Sequence, residues 1–494
     1  MMREQTRREF IRRTGSLAVS AGVLSTSTER TATSMKSPKK EARPSHHPRP
    51  NLVVFLTDDQ GYGDLSCMGA TDFQTPHLDA VAASGVRFTD WYSNSPVCSP
   101  SRASLLTGRY PGNAGVRSIL AGHRTASGLP PETPTLATAL KTLGYRTAMV
   151  GKWHLGLSRK CRPHNHGFDE WFGFMAGCID YYSHIFYWGM AGGHDPIHDL
   201  WENDEEVYEN GRYFTEMITE RAVDYIRRVA ATGDPFFLYV PYNAPHYPMH
   251  APREYLDRFP GLPWDRRIMA AMLAAVDDGV GAIVAELKKQ GLFENTCLFF
   301  QSDNGPSRET RNWLDGTTDP YYGGTAGKLK GHKFSLYEGG IRMPALMSWP
   351  ARIPPGRVVE GVGAAMDLFP TFLKAAGGDL AGYELDGLDV LPMVAEDADS
   401  PHDCVFWEMG DQTAVRRGPL KLVLNGRLVE GAPPEDGVHL SNLDEDMGER
   451  VNLKDKHAEL VAELRSAAEQ WREDIERRWK QEWKPRIRGL TGHS

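Results

Sequence analysis

No apolar run in this 494-residue chain approaches the ~20 residues that a membrane-spanning helix needs. No stretch repeats another, which sets aside a solenoid or a propeller. Positive charge is in short supply. Lys and Arg number 56 against 64 Asp and Glu, a formal charge of −8. Residues 1–35 hold six Arg and three Glu, and taking their +3 away leaves about −11 for the rest. An acidic body does not track a phosphate backbone, so nucleic acid is excluded as the main partner. An anionic substrate would instead need cations gathered locally. Cysteine is also scarce: Cys67, Cys98, Cys161, Cys178, Cys297 and Cys404. If one of them is spent on chemistry, the remaining five cannot all pair. Cys161 with Cys178 is a bridge left open for an oxidising compartment.

The composition that remains, 40% hydrophobic and 24% charged, is that of a globular protein. The length suits one large domain and a smaller one, each with its own core. Thr6-Arg7-Arg8-Glu9-Phe10-Ile11 resembles a twin-arginine export motif, and a weakly apolar run, Leu17 to Leu24, follows it. The order basic, apolar, small-polar is that of an export signal, assigned to residues 1–35. Residues 36–49, rich in Lys, Pro, His and Arg, read as a flexible spacer. The implied partner is the twin-arginine machinery, and the implied location is the bacterial periplasm or the outside of the cell.

From residue 50 strands alternate with helices. Asn51 to Leu56 is a continuous apolar run, the mark of a strand buried on both faces, and it stops at Thr57-Asp58-Asp59. Thr75-Pro76 opens a helix with Leu78, Val81 and Ala82 on its apolar side. A second capped helix is expected from about Thr133 to Gly144. Strands are expected at Arg146 to Val150, Phe236 to Val240, Thr296 to Phe300 and Met343 to Trp349. The first three of these run into Gly151-Lys152-Trp153-His154, Asn243-Ala244-Pro245-His246 and Ser302-Asp303-Asn304-Gly305. Between them Met269, Met272, Leu273, Val276, Val280, Ile283, Val284 and Leu287 recur at helical spacing, a core stripe on a helix from about Arg266 to Gln290. The fold class that results is α/β, a large, mostly parallel sheet sandwiched by helices. Such sheets bind ligands beyond the carboxyl ends of their strands. That rule gathers Asp58, Asp59, Lys152, His154, His246, Asp303 and Asn304 on one edge. Residues 50–399 are taken as this domain. From 400 to 494 the pattern changes to an antiparallel sheet plus a helix. There Asn425-Gly426 is expected to turn a hairpin between Leu420–Leu424 and Arg427–Val429, and a charged amphipathic helix follows from Lys454 to about Lys480.

The most specific stretch is Cys98-Ser99-Pro100-Ser101-Arg102-Ala103-Ser104-Leu105-Leu106-Thr107-Gly108. Pro100 suits a first helical turn, Ser99 is a candidate cap, and Cys98 then lies at the positive end of a helix, where an anion is welcome. By itself this describes a structural thiol beside an ordinary helix. The whole string resembles the Cys-x-Pro-Ser-Arg…Leu-Thr-Gly signature of the type I sulfatases, a family of the alkaline-phosphatase-like superfamily. Gly-Lys152-Trp-His154-Leu-Gly and Lys333-Phe-Ser-Leu-Tyr-Glu-Gly-Gly-Ile-Arg-Met-Pro resemble two further motifs of that family, in the same order. The resemblance runs from about residue 50 to the C-terminus.

The residues themselves suggest part of the chemistry. Asp58, Asp59 and Asp303 would repel one another unless protonated or bound to a cation, and with Asn304 they make a hard oxygen set suited to Ca²⁺ or Mg²⁺. The resemblance implies the rest. Asp58, Asp59, Asp303 and Asn304 match the family's calcium ligands, with residue 98 completing the shell. Cys98 would be oxidised by a formylglycine-generating maturation enzyme to an aldehyde whose hydrate attacks sulfur. Arg102 and Lys152 would steady the sulfate, His246 and Lys333 would protonate the departing oxygen, and His154 would take the proton that lets sulfate leave. Asp180-Tyr181-Tyr182-Ser183-His184 resembles a segment of glycosaminoglycan-type sulfatases, which makes Ser183 and His184 candidate substrate contacts. With Asn243–His246 it looks most like the N-acetylgalactosamine-4-sulfatase (arylsulfatase B-like) group. Trp171, Phe172, Phe174, Tyr187 and Trp188 could stack on a sugar, but core is the simpler reading. The function implied is hydrolysis of sulfate esters on sulfated saccharides. A phosphate or phosphonate ester hydrolase of the same superfamily and a non-catalytic, calcium-dependent glycan-binding protein are the alternatives.

Overall fold

The computed structural model describes residues 49–188, 194–309 and 322–490. The export-signal and spacer assignments fall on residues 1–49, of which all but Arg49 lie outside the described residues. A ten-stranded sheet forms the body, in the spatial order 357–359, 86–88, 345–348, 296–302, 51–57, 236–241, 146–152, 170–174, 201–202, 205–206. Its five central strands, Thr296–Ser302, Asn51–Thr57, Phe236–Pro241, Arg146–Lys152 and Glu170–Phe174, are all parallel. Ala345–Ser348 runs antiparallel to Thr296–Ser302, so that side of the sheet is mixed. The register sets Thr57 against Ser302 and Leu56 against Pro241, so the polar residues that end these strands emerge side by side. Every residue of Asn51–Thr57 and of Thr296–Ser302 is buried, as expected of strands covered on both faces.

Helices cover the sheet. Pro76–Ala83 buries Leu78, Val81 and Ala82. Leu136–Thr142 starts at Thr135, whose side chain accepts from Thr138 N, and so begins two residues later than the expected cap at Thr133. Trp264–Lys289 buries seven of the eight residues of the sequence stripe, and Val284 is half-buried against the same core. By length and composition this helix could cross a membrane, yet 72% of its most apolar window is buried inside the protein. Run length overlooks it because Asp277 and Asp278 interrupt the apolar residues.

The second sheet is antiparallel, Val405–Met409, Gln412–Arg417, Leu420–Gly426, Asp436–Asn442 in that order, with the helix Ala458–Arg478 laid on it. The expected hairpin at Asn425-Gly426 is not there. Gly426 instead pairs with Asp436 as the end of its strand, and residues 427–435 make the connection. The reason is competition for the backbone after Gly426. Arg427 N donates to Gln412 Oε1 (2.9 Å), and Leu428 O accepts from His332 N (3.1 Å), so the Arg427–Val429 run is held by a strand of its own sheet and by the loop that carries Lys333. The two-residue turns fall at Gly410-Asp411 and Gly418-Pro419, where both glycines have positive φ. The sheets are joined by a buried charge network. Lys421 Nζ lies 2.8 Å from Glu338 and 3.2 Å from Glu449, and Arg416 lies 2.5 Å from Asp90. All six cysteines are free, so the open Cys161–Cys178 pairing is not formed. Cys161 packs under Gly156, whereas Cys178 lies within the field of Lys152 and Asp58.

Candidate active site

The helix Cys98–Thr107 is buried along its whole length, with Cys98 as its first residue. Extended Val97 is the cap, and Ser101 N returns to its carbonyl at 3.3 Å. Ser99 is not the cap expected from the sequence. Its Oγ accepts from Leu120 N (3.1 Å) and thereby ties the 117–126 loop to the helix. Cys98, at this helix start, lies among carboxylates from a strand end, so positive helix charge and anionic groups meet there.

Four strand ends and the loop that carries Lys333 supply the rest. Asp58 and Asp59 follow Asn51–Thr57, and Asp303 and Asn304 follow Thr296–Ser302. Asp303 Oδ2 accepts from Arg102 Nε (3.1 Å) and Nη2 (2.8 Å), and its Oδ1 accepts from Asp59 N (3.2 Å). Arg102 Nη1 donates to Lys152 O (3.1 Å), and Lys152 Nζ donates to Asp58 Oδ2. Asp59 accepts from Asn304 Nδ2 (2.6 Å) and from Lys333 Nζ (3.0 Å). Lys333 Nζ also lies 3.4 Å from His246 Nε2 and 3.1 Å from Glu309 Oε2. His246 is oriented by Nδ1 against its neighbour's carbonyl, Tyr247 O (2.7 Å), and its own carbonyl accepts from Tyr181 OH (2.9 Å). His154, with φ 52°, meets Leu120 O through Nε2 (3.4 Å).

Charge and burial set the protonation states. Burial pushes the Cys98 thiol far up despite Lys152 and Lys333, so as a plain thiol it is a poor nucleophile. Burial raises Asp303 to about 7, with Asp58 adding to the effect and Arg102 opposing it. Burial alone would also raise Asp59, but Lys333 and His246 outweigh it and hold that carboxyl low. Burial lowers His246 to about 4 and His154 well below its ordinary range, Lys152 and Arg102 adding to the latter, so both imidazoles are neutral. Burial acts against the Lys333 ammonium, yet the Asp59 and Glu309 carboxylates keep it charged.

Two oxygens in this cluster, Asp58 Oδ1 and Asn304 Oδ1, are buried with no hydrogen-bond partner. Donor atoms of Asp58, Asp59, Cys98 and His246 all lie within 4.8 Å of one another. Carboxylate and amide oxygens left open in this way fit a hard divalent cation. The sequence reading placed His246 with the proton donors, and the geometry brings it into the ligand cluster as well.

Nine of the sequence candidates are brought together here: Cys98, Arg102, Lys152, Asp58, Asp59, Asp303, Asn304, His246 and Lys333. His154 joins them from the Leu120 side, within the fields of Lys152, Arg102 and His246. Ser183 and His184 sit on a separate turn, where Asp180 Oδ1 accepts from Ser183 N (2.7 Å). His184 is fully buried, its Nε2 on Arg212 O (3.2 Å) and its ring against Phe214 and His198, with no bond to the cluster. Trp171, Phe172 and Phe174 are core. Trp188 stands 5.1 Å from Tyr247, whose ring lies 4.2 Å from His246. Glu309 was missed because it belongs to no motif, and only its place six residues past Asp303 hinted at it.

The family profile described as Sulfatase matches residues 50–378. The N-acetylgalactosamine-6-sulfatase of Canis lupus familiaris is 36% identical over 380 residues, 73% of this chain and 69% of that one. Arylsulfatase A of Bos taurus is 32% identical over 467 residues, 85% of this chain and 86% of that one. Among solved structures, Ps i-CgsB in complex with k-i-k-neocarrahexaose superposes with a TM-score of 0.76 at 32% identity, covering 86% of this chain and 93% of that one.

Proposed function

We propose that this chain, which belongs to the sulfatase family and is a sulfuric ester hydrolase, removes ester-linked sulfate from saccharides through a formylglycine made from Cys98. The observation that carries the reading is the pair of open, buried oxygens, Asp58 Oδ1 and Asn304 Oδ1, beside Cys98 within a ring of cations. The saccharide class is supported by the named substrate of the 6-sulfatase relative and by the oligosaccharide in the solved neighbour. Residues 50–399 form the catalytic part, and 400–494 the C-terminal subdomain. Residues 1–35 direct export to the periplasm or beyond.

Asp58, Asp59, Asp303 and Asn304 would hold the divalent ion, for which their oxygens favour Ca²⁺ over softer metals. Bound there, it supplies Lewis-acid stabilisation of charge on sulfate oxygens. Residue 98, once oxidised to the aldehyde and hydrated, offers one hydroxyl to attack sulfur and a second to be deprotonated for sulfate release. Arg102 and Lys152 add fixed positive charge that needs no reorganisation, because Asp303, Asp58 and the Lys152 carbonyl already hold them. His246 Nε2 and Lys333 Nζ converge at 3.4 Å, and that pair protonates the departing alcohol oxygen. His154, kept neutral by burial, accepts the proton in the second half of the cycle. Ser183 is kept as the candidate substrate contact of its turn, whereas His184, fully buried on Arg212 O, braces that turn from within and does not reach substrate.

The test pairs peptide mass analysis around residue 98 with assays on defined sulfated saccharides, including N-acetylgalactosamine 4- and 6-sulfate, and on a phosphate ester with a matched leaving group. The expected result is conversion at residue 98, release of inorganic sulfate, loss of activity on chelation and slower phosphate turnover. Full-rate sulfate release by protein with an unconverted thiol overturns the reading, as does faster turnover of the phosphate ester.

A further inference from the structure

Lys333 is carried by a three-residue strap, His332–Phe334, that belongs to none of the strands of the large sheet. Lys333 N donates to Pro306 O (3.0 Å), and Phe334 N donates to Pro96 O (3.0 Å). Pro306 lies two residues after Asn304 and Pro96 two residues before Cys98, so the strap bridges the two loops that frame the site. Two further backbone contacts come from the C-terminal subdomain. Leu428 O accepts from His332 N (3.1 Å), and Phe334 O accepts from Gln412 Nε2 (2.9 Å). Phe334 has φ 72°, a strained conformation for a non-glycine residue that persists only where its surroundings fix it. Gln412 is 2% exposed, and both ends of its amide are engaged, since its Oε1 takes Arg427 N at 2.9 Å.

We propose that Gln412 is a positioning residue for Lys333: by holding Phe334 O in the left-handed bend, the second sheet fixes the Lys333 ammonium against His246 and Asp59. This rests on the assignment of Lys333 to leaving-group protonation. The substitution Gln412→Glu keeps the acceptor for Arg427 N and removes the donor to Phe334 O. Gln412→Met, of similar length, carries the same expectation without added charge. Neither touches a group that contacts substrate.

The experiment measures kcat/KM on sulfate esters of alcohols of graded acidity, from nitrophenol to a sugar hydroxyl. A displaced proton donor costs most where the leaving alcohol is least acidic. Lys333→Met steepens the dependence on leaving-group acidity. Gln412→Glu and Gln412→Met steepen it in the same direction, losing about tenfold on the sugar ester and less than about threefold on the nitrophenyl ester, the scale of a small misplacement. In the Lys333→Met background, the Gln412 substitutions add nothing further. Val415→Ala, buried in the same strand without a bond to the strap, lowers thermal stability and leaves the slope unchanged. A flat Gln412 response, a loss that adds to that of Lys333→Met, or an equal slope change in Val415→Ala overturns the inference alone. An unchanged slope in Lys333→Met overturns both it and the assignment of Lys333.

Discussion

Burial beside Trp153 pushes the His166 imidazole down to about 3 from its ordinary 6.5. Between those values the unfolded chain binds a proton that the folded chain refuses, so folding stability falls as pH drops below ~6.5, by ~1.4 kcal/mol per unit from this residue. In His166→Phe the decline of thermal midpoint between pH 6.5 and 4 is expected to be shallower than in the parent. An equal slope shows that His166 is not the source. Arg102 makes a second argument at this scale. Its Nε and Nη2 grip Asp303 while Nη1 holds Lys152 O, three directions that an ammonium cannot reproduce. Arg102→Lys is expected to lower kcat by about 10²-fold or more with the fold intact, measured by steady-state kinetics beside circular dichroism.

Among the elements, the strand Arg146–Lys152 shows how narrowly a strand end can be specified. Gly151 has φ 137°, and a Cβ there would stand 2.0 Å from Pro241 O in the neighbouring parallel strand. Gly151→Ala is expected to destabilise the protein by ~3 kcal/mol or more, read as a fall in soluble yield and in denaturation midpoint. The strands that carry the site were legible in the sequence because their apolar runs end abruptly in ionisable residues, as at Leu56 to Asp58 and Phe300 to Asp303. Motif strings made Cys98, Lys152 and Lys333 legible for a different reason, the spacing within each string. Ser99 and Asn425-Gly426 were misread because each has a local preference that a tertiary partner overrides, Leu120 N in one case and Gln412 and His332 in the other. Glu309 gave no signal beyond its nearness to Asp303, and Gln412 none, since a lone carboxylate or amide acquires its role only from what folds against it.

Across the whole molecule the two sheets meet through charge instead of grease alone. Glu338 is fully buried; burial would raise its carboxyl, but Lys421, Arg342 and Arg416 hold it at about 2. Removing Lys421 leaves Glu338 and Glu449 facing each other without their shared cation. Lys421→Met is expected to cost ~3–5 kcal/mol, followed by chemical denaturation at mildly alkaline pH, where the buried carboxylate charge is greatest. Recovery of stability on acidification toward pH 5, as Glu449, raised by burial to about 7, takes up a proton, is part of that expectation.

Cys98 is 2% exposed, and its thiol is clustered with donor atoms of Asp58, Asp59 and His246, which come from segments far apart in the chain. No second enzyme can grip that thiol once those distant segments have assembled. On the proposed formylglycine chemistry, conversion would have to come between synthesis and closure of the sheet, and a chain that folded first would be trapped as an inert thiol form. The yield of working protein would then be decided by a race, run once per molecule and before any substrate is met.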